Sequence, residues 1–197
     1  MTAYAWPGWR VSSFELRIQP NTRTFVGPYT PNVQVLDFMG ERWVCKMSVV
    51  PSTDPLVGAA MEAFFDRLKG PANQIVLGHQ KFSAPQGTMR GTPVLTASVA
   101  QLANTATLTT TAGATLRAGD MLGINGQLVR VMADATADGA GHMMIEFQPR
   151  ARVAWTIGAV VTWNAPTANF MMKADSAPIT WVPGYSDAIT VELIEVP

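Results

Sequence analysis

The sequence predicts a mainly β fold carrying one helix, and three observations support that prediction. Residues 13–19 (SFELRIQ) and 187–196 (DAITVELIEV) alternate apolar with polar side chains, the period-two pattern of half-buried strands. Asn125-Gly126, set between apolar runs, supplies the two positive φ angles of a type I′ hairpin turn. Only residues 55–69 carry a convincing helical period, while 14 prolines and 16 glycines punctuate the rest with turns.

The strand at 13–19 places Phe14, Leu16 and Ile18 on one face and Glu15, Arg17 and Gln19 on the other. Residues 20–31 read as a loop. Residues 32–39 and 42–50, joined by the short Gly40-Glu41 turn, read as a hairpin, with Trp43, Cys45, Met47 and Val49 sharing one face of its second strand. The opposite face, Val44, Lys46, Ser48 and Val50, is mixed. In the helix, Asp54 fits the N-cap and Pro55 the first position, where a missing N–H costs nothing. Val57, Met61, Phe64, Phe65 and Leu68 form its apolar stripe, and Gly70 with Pro71 ends it. Core packing accounts for that stripe better than a partner groove does.

Residues 73–80 read as the next strand, and 81–94 (KFSAPQGTMRGTPV) as a loop and the best domain boundary. The Thr- and Ala-rich tract 95–112 suits strands, with Leu95, Val99, Leu102 and Leu108 spread through it. Residues 121–124 and 127–132 flank the Asn-Gly turn. Asp138-Gly139 begins a second reversal ahead of 142–148, and strands follow at 158–163, 168–174 and 187–196.

Composition narrows the function classes. Charged residues make up 14% of the 197 residues, against about 25% in an ordinary globular domain. Either other subunits cover much of the surface or the many Thr, Ser, Gln and Asn residues wet it. Lys plus Arg and Asp plus Glu both number 14, for a formal net charge of zero. Arg150 and Arg152 are the densest basic pair, too little for a phosphate-binding surface, so neither nucleic acid nor an anionic membrane is an expected partner. Cys45, the single cysteine, can form no internal disulfide and reads as a buried thiol. Residues 1–10 (MTAYAWPGWR) are too short and broken for a leader, and no apolar run reaches membrane-span length. The chain is therefore expected to be made in a cytoplasm and to remain dissolved or assembled there.

The search for chemistry assigns no catalytic, cofactor-binding or metal-ligating residue and expects no cofactor. His79 and His142 have no second ligand at zinc spacing. Asp134, Asp138 and Gly139 imitate positions one, five and six of a calcium loop, but Thr136 and Ile145 stand at the third and twelfth, leaving a polar turn. Gly119, Gly123 and Gly126 lie in a hairpin and aim no helix N-terminus at a phosphate. Glu192 and Glu195 fall on opposite faces of one strand and read as solvated or rim groups. His79 with Asp66 or Asp37 has no nominated nucleophile, so the chain is not expected to be an enzyme. Of the six tryptophans, Trp6 and Trp9 are expected at a surface, where they could stack on sugar or anchor the N-terminal arm on a neighbouring subunit. Trp43 and Trp181 are expected in the core.

The pattern LRAGDMLGI…LVRVMADATADGAGHMMIEFQPRARV (116–153) resembles a segment of tail proteins of long-tailed bacteriophages. There a Gly-Asp strand start, a hairpin, an Asp-Gly-x-Gly turn and a Pro-x-Arg corner follow in this order. The pair Arg42-Trp43, a helix ending in Phe65, Leu68 and Gly70, and the closing VELIEV are similar too. The matching group is the distal tail, or baseplate hub, proteins at the tail tip. The resemblance implies a structural virion protein at the distal end of the tail, assembled in the bacterial host cytoplasm and linking the tail tube protein to tail-tip hub proteins. It implies a β-sandwich-like ring domain from 1–90 with 166–197, and an inserted β-barrel-like domain at 91–165. The expected homo-oligomer is a ring of six copies, with three as the alternative. A carbohydrate-binding or host-recognition β-sandwich module of a phage tail is the other reading.

Overall fold

The computed structural model describes residues 1–26, 32–175 and 177–196. Before the helix come β1 (Ala3–Ala5), β2 (Val11–Gln19), β3 (Thr22–Val26), β4 (Val33–Asp37) and β5 (Arg42–Val49). The helix α1 (Pro55–Leu68) runs through a 3₁₀ turn (Gly70–Ala72) into β6 (Gln74–Gly78). Then follow β7 (Val94–Leu95), β8 (Thr105–Thr109), β9 (Thr115–Leu116), β10 (Met121–Ile124), β11 (Gln127–Val131), β12 (Ala135–Thr136), β13 (His142–Gln148) and β14 (Val161–Thr162). The last elements are β15 (Thr167–Met172), β16 (Trp181–Val182), β17 (Tyr185–Ser186) and β18 (Ile189–Glu195). The fold is mainly β with one α-helix among the described residues, as the sequence predicts.

The chain divides into two compact units, Met1–Arg17, Trp43–Gln80 and Thr167–Pro197 forming the first and Ile18–Arg42 with Lys81–Pro166 the second. These bounds differ from 1–90 with 166–197 against 91–165. Residues 18–42 and 81–90 group with the second unit because Asp37 and Met89 find their partners there, as described below.

In the first unit a six-stranded sheet runs β1-β6-β15-β18-β5-β2. Its central strands bury one face: Trp43, Cys45, Met47 and Val49 on β5, and Ile189, Val191 and Leu193 on β18. Val44 beside them is buried as well, consistent with the mixed second face. β1 lies parallel to β6, pairing Tyr4 with Ile75. The helix starts as expected, with the Asp54 carboxylate accepting the Leu56 N–H at 2.9 Å. Met61, Phe65 and Leu68 are buried, whereas Val57 and Phe64 at the edge of the stripe are only partly so. The left-handed C-cap is Lys69 (φ 51°), one residue before the expected glycine. Gly70 is left-handed too, and its Cα lies so near Asp175 that a Cβ would fall 2.8 Å from that carbonyl oxygen.

The second unit is built on a six-stranded sheet ordered β14-β10-β11-β13-β8-β7. A bridge between Val94 and Val160, with Leu95 N–H donating to Ala159 O, brings its two ends together, so the sheet is a nearly closed barrel. Leu95, Leu108, Leu122, Ile124, Val129, Val131, Met143, Ile145 and Phe147 fill it. Trp155 is buried there, stacked on Phe147 at 5.1 Å. The Asn125-Gly126 turn has φ values of 49° and 78°, the two positive angles a type I′ turn needs.

One expected hairpin is overturned. β4 pairs with β3, from Thr22↔Asp37 to Val26↔Val33, and not with β5. β5 is a central strand instead, between β18 and β2. The expected loop at 20–31 therefore contains β3, while residues 27–31 lie outside the described residues. The physical reason is burial. β5 presents alternate side chains to a core, whereas no residue of β4 is covered, so only β5 gains by joining the large sheet.

Candidate functional site

The acidic residues nominated by the sequence turn out to hold the backbone in place. Asp120, the acid of the Gly-Asp pair, is buried, and its carboxylate accepts three N–H groups: Gln86 at 2.7 Å, Gly87 at 3.2 Å and Arg117 at 2.8 Å. It thereby ties residues 86–87 to the start of β10, and Met89 follows into the barrel core. Gly87 passes so close to β9 that a Cβ would sit 2.1 Å from the Thr115 carbonyl oxygen.

Asp134 and Asp138 act in the same way at the surface. Asp134 accepts the Ala118 N–H and pairs with Arg117. Asp138 accepts the N–H groups of Ala140 and His142 at 2.9 and 2.8 Å. The Ala118 N–H, with Arg117 beside it, holds the Asp134 carboxyl below its ordinary value, and the His142 N–H does so for Asp138. The calcium-like spacing thus serves turns, and among the described residues no group of three His, Cys, Asp or Glu side chains is gathered for a metal.

Glu195 corrects its expected rim position. It is buried, and its carboxylate accepts the Trp43 N–H at 3.0 Å. The β18–β5 ladder ends at Ile194↔Val44, so this side chain satisfies the next backbone donor, which burial would otherwise leave costly. Glu192, on the opposite face, reaches Lys173 at 3.3 Å. His79 lies edge-on to Phe14 at 5.3 Å. Asp37 is held by the Met39 N–H and by Arg150 at 2.9 Å, with Glu41 3.6 Å from the same guanidinium. Arg150, which directly follows Pro149, thus anchors the base of the β3–β4 hairpin through Asp37. Cys45 is fully buried, and burial pushes its thiol up to about 12.

The tryptophans divide differently from expectation. Trp6 and Trp9 pack edge-on against Phe64 of α1 at 6.0 and 5.4 Å and are half-buried. They seat the N-terminal segment on its own helix. Trp43 and Trp155 are core residues. Trp163 donates from its indole to Gly91 O at 2.7 Å beneath the Arg90 guanidinium. Trp181, expected in the core, is 46% exposed.

Two surface features escape the sequence reading. The first is the β3–β4 hairpin, in which every residue of both strands is exposed. Its register puts Val26, Val33 and Val35 on one face with Thr22, Thr24 and Asp37, and Phe25 and Leu36 on the other with Arg23 and Gln34. Phe38 and Met39 extend the apolar surface, both 48% exposed. The second is an open cavity of about 340 Å³ beside α1, lined by Ser52, Thr53, Pro55, Trp181, Val182, Gly184 and Tyr185. A strand of apolar residues flanked by prolines and threonines signals the first only weakly, and the lone Gly184 turn is the single hint of the second.

No family model matches the chain, and no curated protein matches it.

Proposed function

We propose that the chain is a structural subunit of a bacteriophage tail tip, forming a closed ring that joins the tail tube to the tip complex. The observation that carries this reading is the β3–β4 hairpin. A two-stranded ribbon is at best marginally stable alone in water. This one exposes apolar side chains on both faces, with Val26 at 66%, Val35 at 65% and Phe25 at 54%. Such a surface is unfavourable on a free monomer and reads as a contact arm. Covering it on a second copy of the chain would remove the penalty and pair its open edges.

The low charge content supports the same reading, since surface shared among subunits needs less charge to stay wetted. The carboxylates of Asp120, Asp134, Asp138 and Glu195 hold turns and strand ends, a structural use that suits this reading. Six copies are expected in the ring, with three as the alternative. The tube and hub proteins would contact its two sides. Negative-stain imaging of the purified chain tests the proposal: rings of uniform diameter are expected, and they should add to tail tubes lacking a tip. Isolated particles of one chain that do not add to such tubes would overturn it.

A further inference from the structure

We propose that the cavity beside the N-terminus of α1 is a binding site for a neutral sugar ring, stacked on Trp181 and Tyr185. Its lining is one Val, one Pro, one Gly, two hydroxyl residues and two aromatic residues, with no Lys, Arg, Asp or Glu. An ionic ligand would find no counter-charge there. A purely aliphatic ligand would meet two hydroxyl residues in the lining, Ser52, whose Oγ is bonded to Asp54, and Thr53. A pyranose offers both halves of what the lining calls for, an apolar face of C–H groups and a rim of hydroxyls. The volume of about 340 Å³ lies at the small end of ligand sites, which run from about 300 to 1,000 Å³, and so suits one or two rings of a chain.

The aromatic pair is exposed on a tethered hairpin, and the Trp181 indole is braced from behind. Trp181 and Tyr185 are 46% and 41% exposed. They stand on the β16–β17 hairpin, paired Trp181↔Ser186 and Val182↔Tyr185. Ser186 is buried and exchanges backbone hydrogen bonds with Ser52 at 2.8 and 3.2 Å, and its hydroxyl also donates to Ser52 O at 3.3 Å. Trp181 leans on the helix at Gly58, where a Cβ would fall 2.6 Å from its Cη2. The indole is thus propped from behind by a residue that can have no side chain. The Ser52 hydroxyl accepts the Asp54 N–H at 3.2 Å, so the wall opposite is fixed as well. An indole held in place before the ligand arrives loses little freedom on binding.

Saturation-transfer difference NMR on the full chain, with the methyl glycosides of glucose, galactose, mannose and N-acetylglucosamine as probes, tests this directly. Transfer from the protein to the C–H protons of one sugar face is expected for at least one probe. Trp181→Ala should weaken that transfer about tenfold, the loss of a stacking contact worth one decade in affinity, while Trp181→Phe should keep most of it. Thr53→Arg, at an exposed position, should block the cavity without altering the melting temperature. No transfer from any probe would overturn the proposal, as would equal transfer from wild type and Trp181→Ala. If Thr53→Arg instead lowers the mass of the assembly and no sugar binds, the cavity is a contact between subunits and the sugar site is wrong. The ring reading stands or falls separately, on the mass of the wild-type chain.

Discussion

Buried polar side chains in this protein end strands and close loops, and their energetics follow from that work. Removing the Asp120 carboxylate would strand the N–H groups of Gln86, Gly87 and Arg117. Asp120→Ala should therefore cost about 3 kcal/mol, read as a lower urea midpoint. Glu195→Gln should cost less than Glu195→Ala, because an amide oxygen still accepts the Trp43 N–H. Cys45 gives a second residue-scale expectation. With its thiol pushed up to about 12 by burial, almost no thiolate exists at neutral pH. Iodoacetamide should leave the native protein unmodified and label it promptly once it is unfolded. Labelling of the native form at the unfolded rate would show that the β5 core opens readily.

At the scale of the element, two glycines should separate conformational strain from collision. Gly126 has φ 78° with nothing near its missing Cβ, whereas a Cβ on Gly87 would overlap the Thr115 carbonyl. Gly126→Ala should cost about 1 kcal/mol, the ordinary penalty of a left-handed alanine. Gly87→Ala should cost more, since backbone must move, and thermal melts of the two variants check the order. The same pair shows what the sequence can and cannot reveal. Gly126 follows Asn125 between apolar strands, a local signal, so the hairpin was legible. Gly87 answers to a carbonyl 28 residues away in the chain, and nothing near it announces that approach. β5, β18 and α1 were legible because each buries one face in its own period. The partner of β4 was not, since Gly40-Glu41 favours β5 locally while the large sheet claims β5 for β18 and β2. Trp181 was misread because its neighbours look apolar, yet a two-residue hairpin turns it outward. Asp134 and Asp138 were legible as turn formers from their spacing, whereas Asp120 stood only in the Gly-Asp strand start, and which N–H groups all three hold depends on the folded loops.

For the whole molecule, acid and self-association are the informative variables. Asp37, Asp134 and Asp138 all have carboxyls held below the ordinary 3.8, chiefly by the N–H groups of Met39, Ala118 and His142 respectively. A lowered folded value means the unfolded chain binds protons more readily. Their contribution is thus fully present above the ordinary carboxylate range and is lost as the pH falls through the lowered values. All three are at the surface, so the effect should be modest and weaken with salt. Melting temperature followed from neutral pH downwards should hold until that range and then fall, and a steeper fall near pH 6 would point to histidine instead. The central claim is that the exposed β3–β4 arm joins copies of this chain. Light scattering of the wild type beside a variant carrying Phe25→Ser, Val33→Thr and Val35→Thr tests it most directly. The wild-type mass should be several times 21.2 kDa, and the variant should melt at the same temperature but scatter as a single chain. A wild type that scatters as one chain at every concentration, or a variant whose assembly is unchanged, would contradict it.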